Sequence, residues 1–180
     1  MNVIIVHGKN TTPSEKWYPW LVNEFEKRNI SVIVPVLPNS EDPEASVWLN
    51  EISKSNLNEE SVLIGYSRGG VAILRWLEKL PEGSKVKKVI LVAVNSGKSE
   101  NMNLSKNNKG FYSKEGYDFD KIRSHCSDFV VIHSKDDHRV PFSAGEENAK
   151  GLNAKFKIYE DKRHFGKKES PTIPEVLEEI

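Results

Sequence analysis

Cysteine is almost missing from this chain: Cys126 is the only one in 180 residues. A lone thiol excludes an internal disulfide and a cysteine-rich zinc site, so the fold has no covalent or metal staple of that kind. An excess of charge of either sign is missing too, because 26 Lys+Arg balance 26 Asp+Glu. Without a basic field neither a nucleic-acid backbone nor an anionic membrane surface is an expected partner. No apolar run approaches the ~20 residues that span a bilayer. The opening Met1-Asn2-Val3-Ile4-Ile5-Val6 enters an apolar strand with no charged leader and no small-residue cleavage site. The expectation is a cytoplasmic protein, and with no Pro/Gly/Ser-rich linker residues 1–180 read as one domain with one core.

What is present alternates. Short runs rich in Val and Ile recur at Asn2–Val6, Ser31–Val34, Ser61–Ile64, Lys88–Val94, Asp128–His133 and Ala154–Tyr159. Between them lie stretches of helical periodicity at Ser14–Arg28, Pro43–Ser55, Arg68–Leu80, Phe119–Ser124, Ser143–Lys150 and Thr172–Glu179, with Ser14, Asp42 and Ser143 where N-caps would help. Strands separated by crossover helices make an α/β fold with a parallel sheet. Consecutive apolar residues, as in Val89-Ile90-Leu91-Val92-Ala93-Val94, suit strands covered on both faces. Only 95–117, rich in Asn, Ser, Lys and Gly, breaks the alternation; it reads as a solvated loop or as a reduced cap using Met102, Leu104, Phe111 and Tyr112. Trp17, Trp20, Trp48 and Trp76 read as helix-to-sheet packing.

The third run leads into Gly65-Tyr66-Ser67-Arg68-Gly69 and then into a helix. Strand, Gly-x-Ser-x-Gly and helix is the sequence form of a nucleophile elbow, in which the turn strains the serine backbone and the flanking glycines let strand and helix approach. A serine nucleophile needs a base, and the base needs an acid to orient it, in the chain order serine, acid, histidine. The loop after the fifth strand offers Asp136 and Asp137, of which Asp137 stands three residues before Val140-Pro141 and is preferred, with Asp136 left to cap the turn. The loop after the sixth strand offers His164 as the base, ahead of His133 inside a strand, His138 beside the acid and His125 upstream. Both loops leave carboxyl ends of strands, where open α/β sheets put their sites.

Two backbone donors are needed for an oxyanion. One is the amide of Arg68, after the nucleophile; the other is assigned to Lys9 in the His7-Gly8-Lys9-Asn10 loop, with Asn10 in reserve. A metal site built from His133, Asp136, Asp137 and His138 is the competing use of these side chains, but the helical His-x-x-x-His spacing and a distant third ligand are both missing. No cofactor is expected, because nucleophile, base and electrostatics are all supplied by the chain.

With these motifs in view, the chain resembles the small serine hydrolases of the retinoblastoma-binding-protein-9 and YdeN group, a compact branch of the α/β-hydrolase superfamily. The resemblance runs through Val3-Ile4-Ile5-Val6-His7-Gly8, Trp17-Tyr18-Pro19-Trp20, Trp48-Leu49, Gly65-Tyr66-Ser67-Arg68-Gly69-Gly70, Ser134-Lys135-Asp136-Asp137 with Val140-Pro141-Phe142, and His164-Phe165. It implies a three-layer αβα sandwich, a six-stranded parallel sheet in the order 2-1-3-4-5-6, and a triad of Ser67, Asp137 and His164. The activity implied is acyl-enzyme hydrolysis of a small ester, thioester or amide; the rival expectation is a binding or regulatory protein that keeps the fold without the chemistry. Tyr66 and Arg68 replace residues common in relatives, and Arg163 stands where Gly commonly precedes the histidine. The Leu-x-Cys-x-Glu peptide is absent, so the retinoblastoma protein is not an expected partner.

Overall fold

Six short runs form the strands β1 (Asn2–Val6), β2 (Ser31–Ile33), β3 (Ser61–Tyr66), β4 (Lys88–Val92), β5 (Phe129–Ser134) and β6 (Lys155–Tyr159) in a computed structural model that describes residues 1–98, 109–166 and 168–180. All neighbours pair in parallel, in the order β2-β1-β3-β4-β5-β6. Each crossover is a helix: α1 (Tyr18–Lys27), α2 (Ala45–Ser53), α3 (Arg68–Leu77), α4 (Phe119–His125) and α5 (Phe142–Leu152), with the short α6 (Pro174–Leu177) closing the chain.

Side chains of a strand point alternately to its two faces. Ile4, Val6 and Leu63 therefore join Trp48, Ile52 and Leu74 of α2 and α3 on one side, whereas Val3, Ile5, Val62 and Ile64 meet Tyr18, Leu21 and Phe25 of α1 and Val176 of α6 on the other. Two apolar clusters sandwich the sheet, which is why β3, β4 and β5 carry their polar residues, Ser61, Lys88, His133 and Ser134, only at their ends. Trp17, Trp48 and Trp76 are buried in these clusters and Trp20 packs against one of them, as expected of packing residues.

Two element boundaries differ from expectation where the backbone turns left-handed, while α2 and α3 are shorter than expected without such a turn. Lys16 at φ +56° stops α1 from reaching back to Ser14, and Ala93 at φ +52° ends β4 two residues early. None of the three expected caps is used: Ser14 bonds the Thr12 hydroxyl at 3.0 Å, Asp42 pairs with Lys109, and α5 starts from Pro141, before Ser143. Asp118 does cap α4, accepting the Lys121 N–H at 3.0 Å.

In the irregular connection, Met102 and Leu104 lie outside the described residues. Its flanks are fastened to α3. Arg75 donates to the carbonyls of Gly97 (3.1 Å), Phe111 (3.0 Å) and Gly116 (2.8 Å), to the Ser113 hydroxyl (3.4 Å) and to the Glu78 carboxylate (2.9 Å), and it stacks 4.7 Å from the Tyr117 ring centre. Phe111 is fully buried, edge-on to Trp48 at 5.5 Å.

Candidate active site

β3 carries its chain straight into the turn before α3, and the turn residue is Ser67 at φ 50°, ψ −120°. Few side-chain-bearing residues accept that conformation, so surrounding structure has to impose it. The Ser67 N–H is tied to the Val92 carbonyl at 2.9 Å. The neighbours explain the glycines: a Cβ on Gly65 would lie 2.5 Å from the Gly70 Cα, and one on Gly69 would lie 2.1 Å from the Val6 carbonyl oxygen. β1, β3 and α3 meet at distances that admit no side chain there.

The loops after β5 and β6 meet this turn. His164 Nε2 lies 3.1 Å from Ser67 Oγ, and His164 Nδ1 lies 2.8 and 3.1 Å from the two oxygens of Asp137. Nδ1 facing a carboxylate must carry the proton, which leaves the Nε2 lone pair toward the serine hydroxyl. The Asp137 side chain is fully buried. Burial by itself would raise its pKa, but the hydrogen bond and charge of His164 and the N–H groups of Arg139 (2.8 Å) and Val140 (3.0 Å) outweigh it and hold the carboxyl below its ordinary value.

Asp136 faces elsewhere. One of its oxygens accepts the Ser134 hydroxyl at 2.6 Å and the Arg163 N–H at 2.7 Å, and Ser134 Oγ in turn accepts the Lys162 N–H at 3.0 Å. Its task is thus wider than capping its own turn, since it fastens the β6 loop to the β5 loop one residue before His164. Tyr66 holds the same loop from the other side, donating its hydroxyl to the His164 carbonyl at 2.7 Å. Neither contact announces itself in sequence; the tyrosine inside the Gly-x-Ser-x-Gly peptide was visible only as a departure from relatives.

The other histidines are accounted for locally. His133 is buried with Nε2 3.2 Å from the Val140 carbonyl and 3.6 Å from Asp137, His125 meets the Ser84 carbonyl at 2.9 Å, and His138 is exposed. Of the metal alternative only His133 and Asp137 approach one another, and no group of three or more His, Cys, Asp or Glu among the described residues is placed to share an ion.

The loop after β1 completes the floor. His7 bridges it, with Nδ1 3.0 Å from the Gly8 carbonyl and Nε2 accepting the Leu37 N–H at 3.1 Å, while the Gly8 N–H donates to the Tyr18 hydroxyl at 3.1 Å. Asn10 is removed as a reserve oxyanion donor, because its N–H is spent on the Ser40 carbonyl at 2.8 Å. Lys9 and Arg68 both line the cleft over Ser67, and Arg68 opens α3, where an N–H has no acceptor within the helix.

A model of the serine hydrolase family matches residues 3–175. YdeN of Bacillus subtilis (strain 168) is 30% identical over 165 residues, spanning 91% of this chain and 85% of that protein. The serine hydrolase RBBP9 of Rattus norvegicus is 25% identical over 163 residues, spanning 88% of this chain and 83% of its own. Among solved structures, the B. subtilis ydeN gene product superposes with a TM-score of 0.86 at 27% identity, covering 98% of this chain and 95% of that one. A lipase-esterase related protein from Clostridium acetobutylicum shares the fold at a TM-score of 0.70 and 17% identity, covering 99% and 94%.

Proposed function

The chain belongs to the serine hydrolase family, and from that premise we propose that it cleaves a small ester, thioester or amide through an acyl-enzyme on Ser67. The observation that carries this reading is the unbroken line of hydrogen bonds from Ser67 Oγ through both nitrogens of His164 to buried Asp137, at a strained elbow.

Ser67 Oγ attacks the substrate carbonyl as its proton passes to His164 Nε2, and Asp137 steadies the imidazolium without taking a proton itself. The oxyanion that forms is received by the amides of Arg68 and Lys9, one such donor being worth roughly 10²–10³ in rate. Collapse expels the alcohol, thiol or amine with the proton from His164. Water then attacks the acyl-enzyme by the same route, giving its proton to His164 and releasing the acid and Ser67. Every group required belongs to the chain.

The test is labelling with a fluorophosphonate, followed by peptide mass spectrometry, with Ser67→Ala as control. An adduct confined to Ser67 is the expected result. Folded protein that stays unlabelled would refute the nucleophile and favour a binding protein on the same fold.

A further inference from the structure

The cleft over Ser67 encloses about 420 Å³, and four of its lining residues are Lys9, Lys16, Arg68 and Arg139. Among the described residues no aspartate or glutamate lines it. Since basic and acidic residues are equal in number over the chain, this is a local segregation of charge. Among the described residues no carboxylate forms an ion pair with any of the four, while cations elsewhere, from Lys27 to Arg163, are repeatedly paired. Of the acids around it, Glu15 accepts the Thr12 N–H at 2.6 Å, Glu169 lies 3.8 Å from Arg163 and Asp137 is taken by His164, while Glu41 lies with Glu15 in the adjoining depression beyond Asn10 and Thr11.

Arg68 is the second, independent sign. It is 8% exposed, its guanidinium carbon lies 4.8 Å from the ring centres of both Phe111 and Tyr112, and its Nη1 is buried with no hydrogen-bond partner. A buried guanidinium nitrogen without an acceptor is unfavourable, and two aromatic faces offset only part of that. The charge is therefore held in place before any counter-charge arrives, which is how a binding site reduces the cost of ordering on ligand entry.

We propose that the substrate carries an anionic group, a carboxylate or a phosphate, seated among Lys9, Lys16 and Arg139 within the field of Arg68. This rests on the hydrolase reading of the same cleft, which it deepens by naming the substrate class.

Two ester pairs test it and separate the sources of the anion: mono-4-nitrophenyl adipate against 4-nitrophenyl hexanoate, and 4-acetoxyphenyl phosphate against phenyl acetate. In at least one pair kcat/KM for the anionic member should exceed that of the neutral one by roughly tenfold, the size of one screened charge contact. That ratio should fall toward unity in 1 M NaCl, where the Debye length is about 3 Å, and in the Lys16→Gln, Arg139→Gln double variant. Ratios near unity in both pairs, or a preference indifferent to salt and to the double variant, would overturn the proposal. Calorimetric binding of the same four esters to Ser67→Ala protein keeps the two readings apart. Tighter binding of the anionic esters without turnover by the native protein sinks the hydrolase and leaves the anion site standing. Turnover with no anionic preference in rate or binding does the reverse.

Discussion

Arg68 and Arg75 stand on the same helix, both buried and both stacked on aromatic rings, yet they are treated in opposite ways. Every nitrogen of Arg75 is matched to an acceptor, three of them carbonyls of the 95–117 connection. Arg68 keeps a buried nitrogen with none. The contrast extends to the backbone, which is strained at Ser67 and regular where α3 ends at Glu78. Saturation at the carboxyl end of α3 fastens chain to chain, whereas unspent capacity at its amino end is available to a ligand or a transition state.

Substitutions at the two ends should give opposite signatures. If Ser67 is the nucleophile proposed, Ser67→Ala should lower kcat by about 10⁴ or more, with unfolding free energy in urea unchanged or slightly raised because its hydroxyl bonds only His164. Arg75→Met should cost about 3 kcal/mol in the same urea assay, since it removes buried hydrogen bonds to Glu78 and to the carbonyls of Gly97, Phe111 and Gly116. Below its transition this variant should keep kcat within about tenfold of the native value, the contribution of a contact that does not touch the reacting atoms. Loss of stability in Ser67→Ala, or of kcat alone in Arg75→Met, would break the comparison.

Acid should act on the floor of the site before it acts on the rest. Burial is the largest influence on His7 and His133 and holds both below the ordinary value of 6.5, despite the raising effect of the Gly8 carbonyl and Glu15 on the first and of the Val140 carbonyl and Asp137 on the second. The folded state therefore refuses protons that the unfolded chain accepts. Stability falls as pH drops through 6.5, with a slope of up to about 1.4 kcal/mol per pH unit for each histidine until its folded pKa is reached. Asp137 works in the other sense: its depressed folded pKa adds stability above the carboxylate range, lost only near pH 4 and below. Urea midpoints measured from pH 8 to 5 should show the first loss, and a flat profile would mean that neither histidine is held neutral.

How much of this was legible differs between backbone and side chains. The inner strands were readable because a parallel sheet buried on both faces demands apolar runs, and β1 was found to the residue. That Ser67, Asp137 and His164 meet was readable because elbow geometry admits only glycine at Gly65 and Gly69 and because chain order fixes which loops face it. The grip of Arg75 on Gly97, Phe111 and Gly116 was not, since an arginine seeking backbone carbonyls leaves no pattern in the sequence that supplies them. One of the caps failed for a similar reason: Asp42 found a cation 67 residues away in Lys109. A local rule cannot anticipate a partner that distant.

The histidine loop sharpens the comparison because it sits at the site yet is built by saturation. Asp136 accepts both the Ser134 hydroxyl and the Arg163 N–H through one oxygen. Asp136→Asn can keep that oxygen as an acceptor and should leave kcat/KM within a few-fold of native, whereas Asp136→Ala should lower the urea midpoint and lose roughly tenfold in kcat as His164 loses its fixed position. Equal losses in the two variants would show that charge at Asp136, and not acceptance of the Arg163 N–H, is what matters. Chemical-shift changes at His164 in Asp136→Ala would report the displacement directly.

The smallest effect is expected one residue before the base. Arg163 sits at φ +47°, a left-handed conformation that a residue bearing a Cβ adopts only at a cost of about 1–2 kcal/mol. Glycine at this position would remove the strain and keep the N–H that Asp136 accepts, at the price of a more flexible unfolded chain, about 0.5–1 kcal/mol. The exposed side chain meets Glu169 only at 3.8 Å, a contact worth little in water. Arg163→Gly should therefore raise the melting temperature by about 1–3 °C without changing kcat/KM. A lower melting temperature would show that the ion pair with Glu169 holds this loop more firmly than its geometry suggests, and would move the histidine loop further toward the saturated kind of construction seen at Arg75.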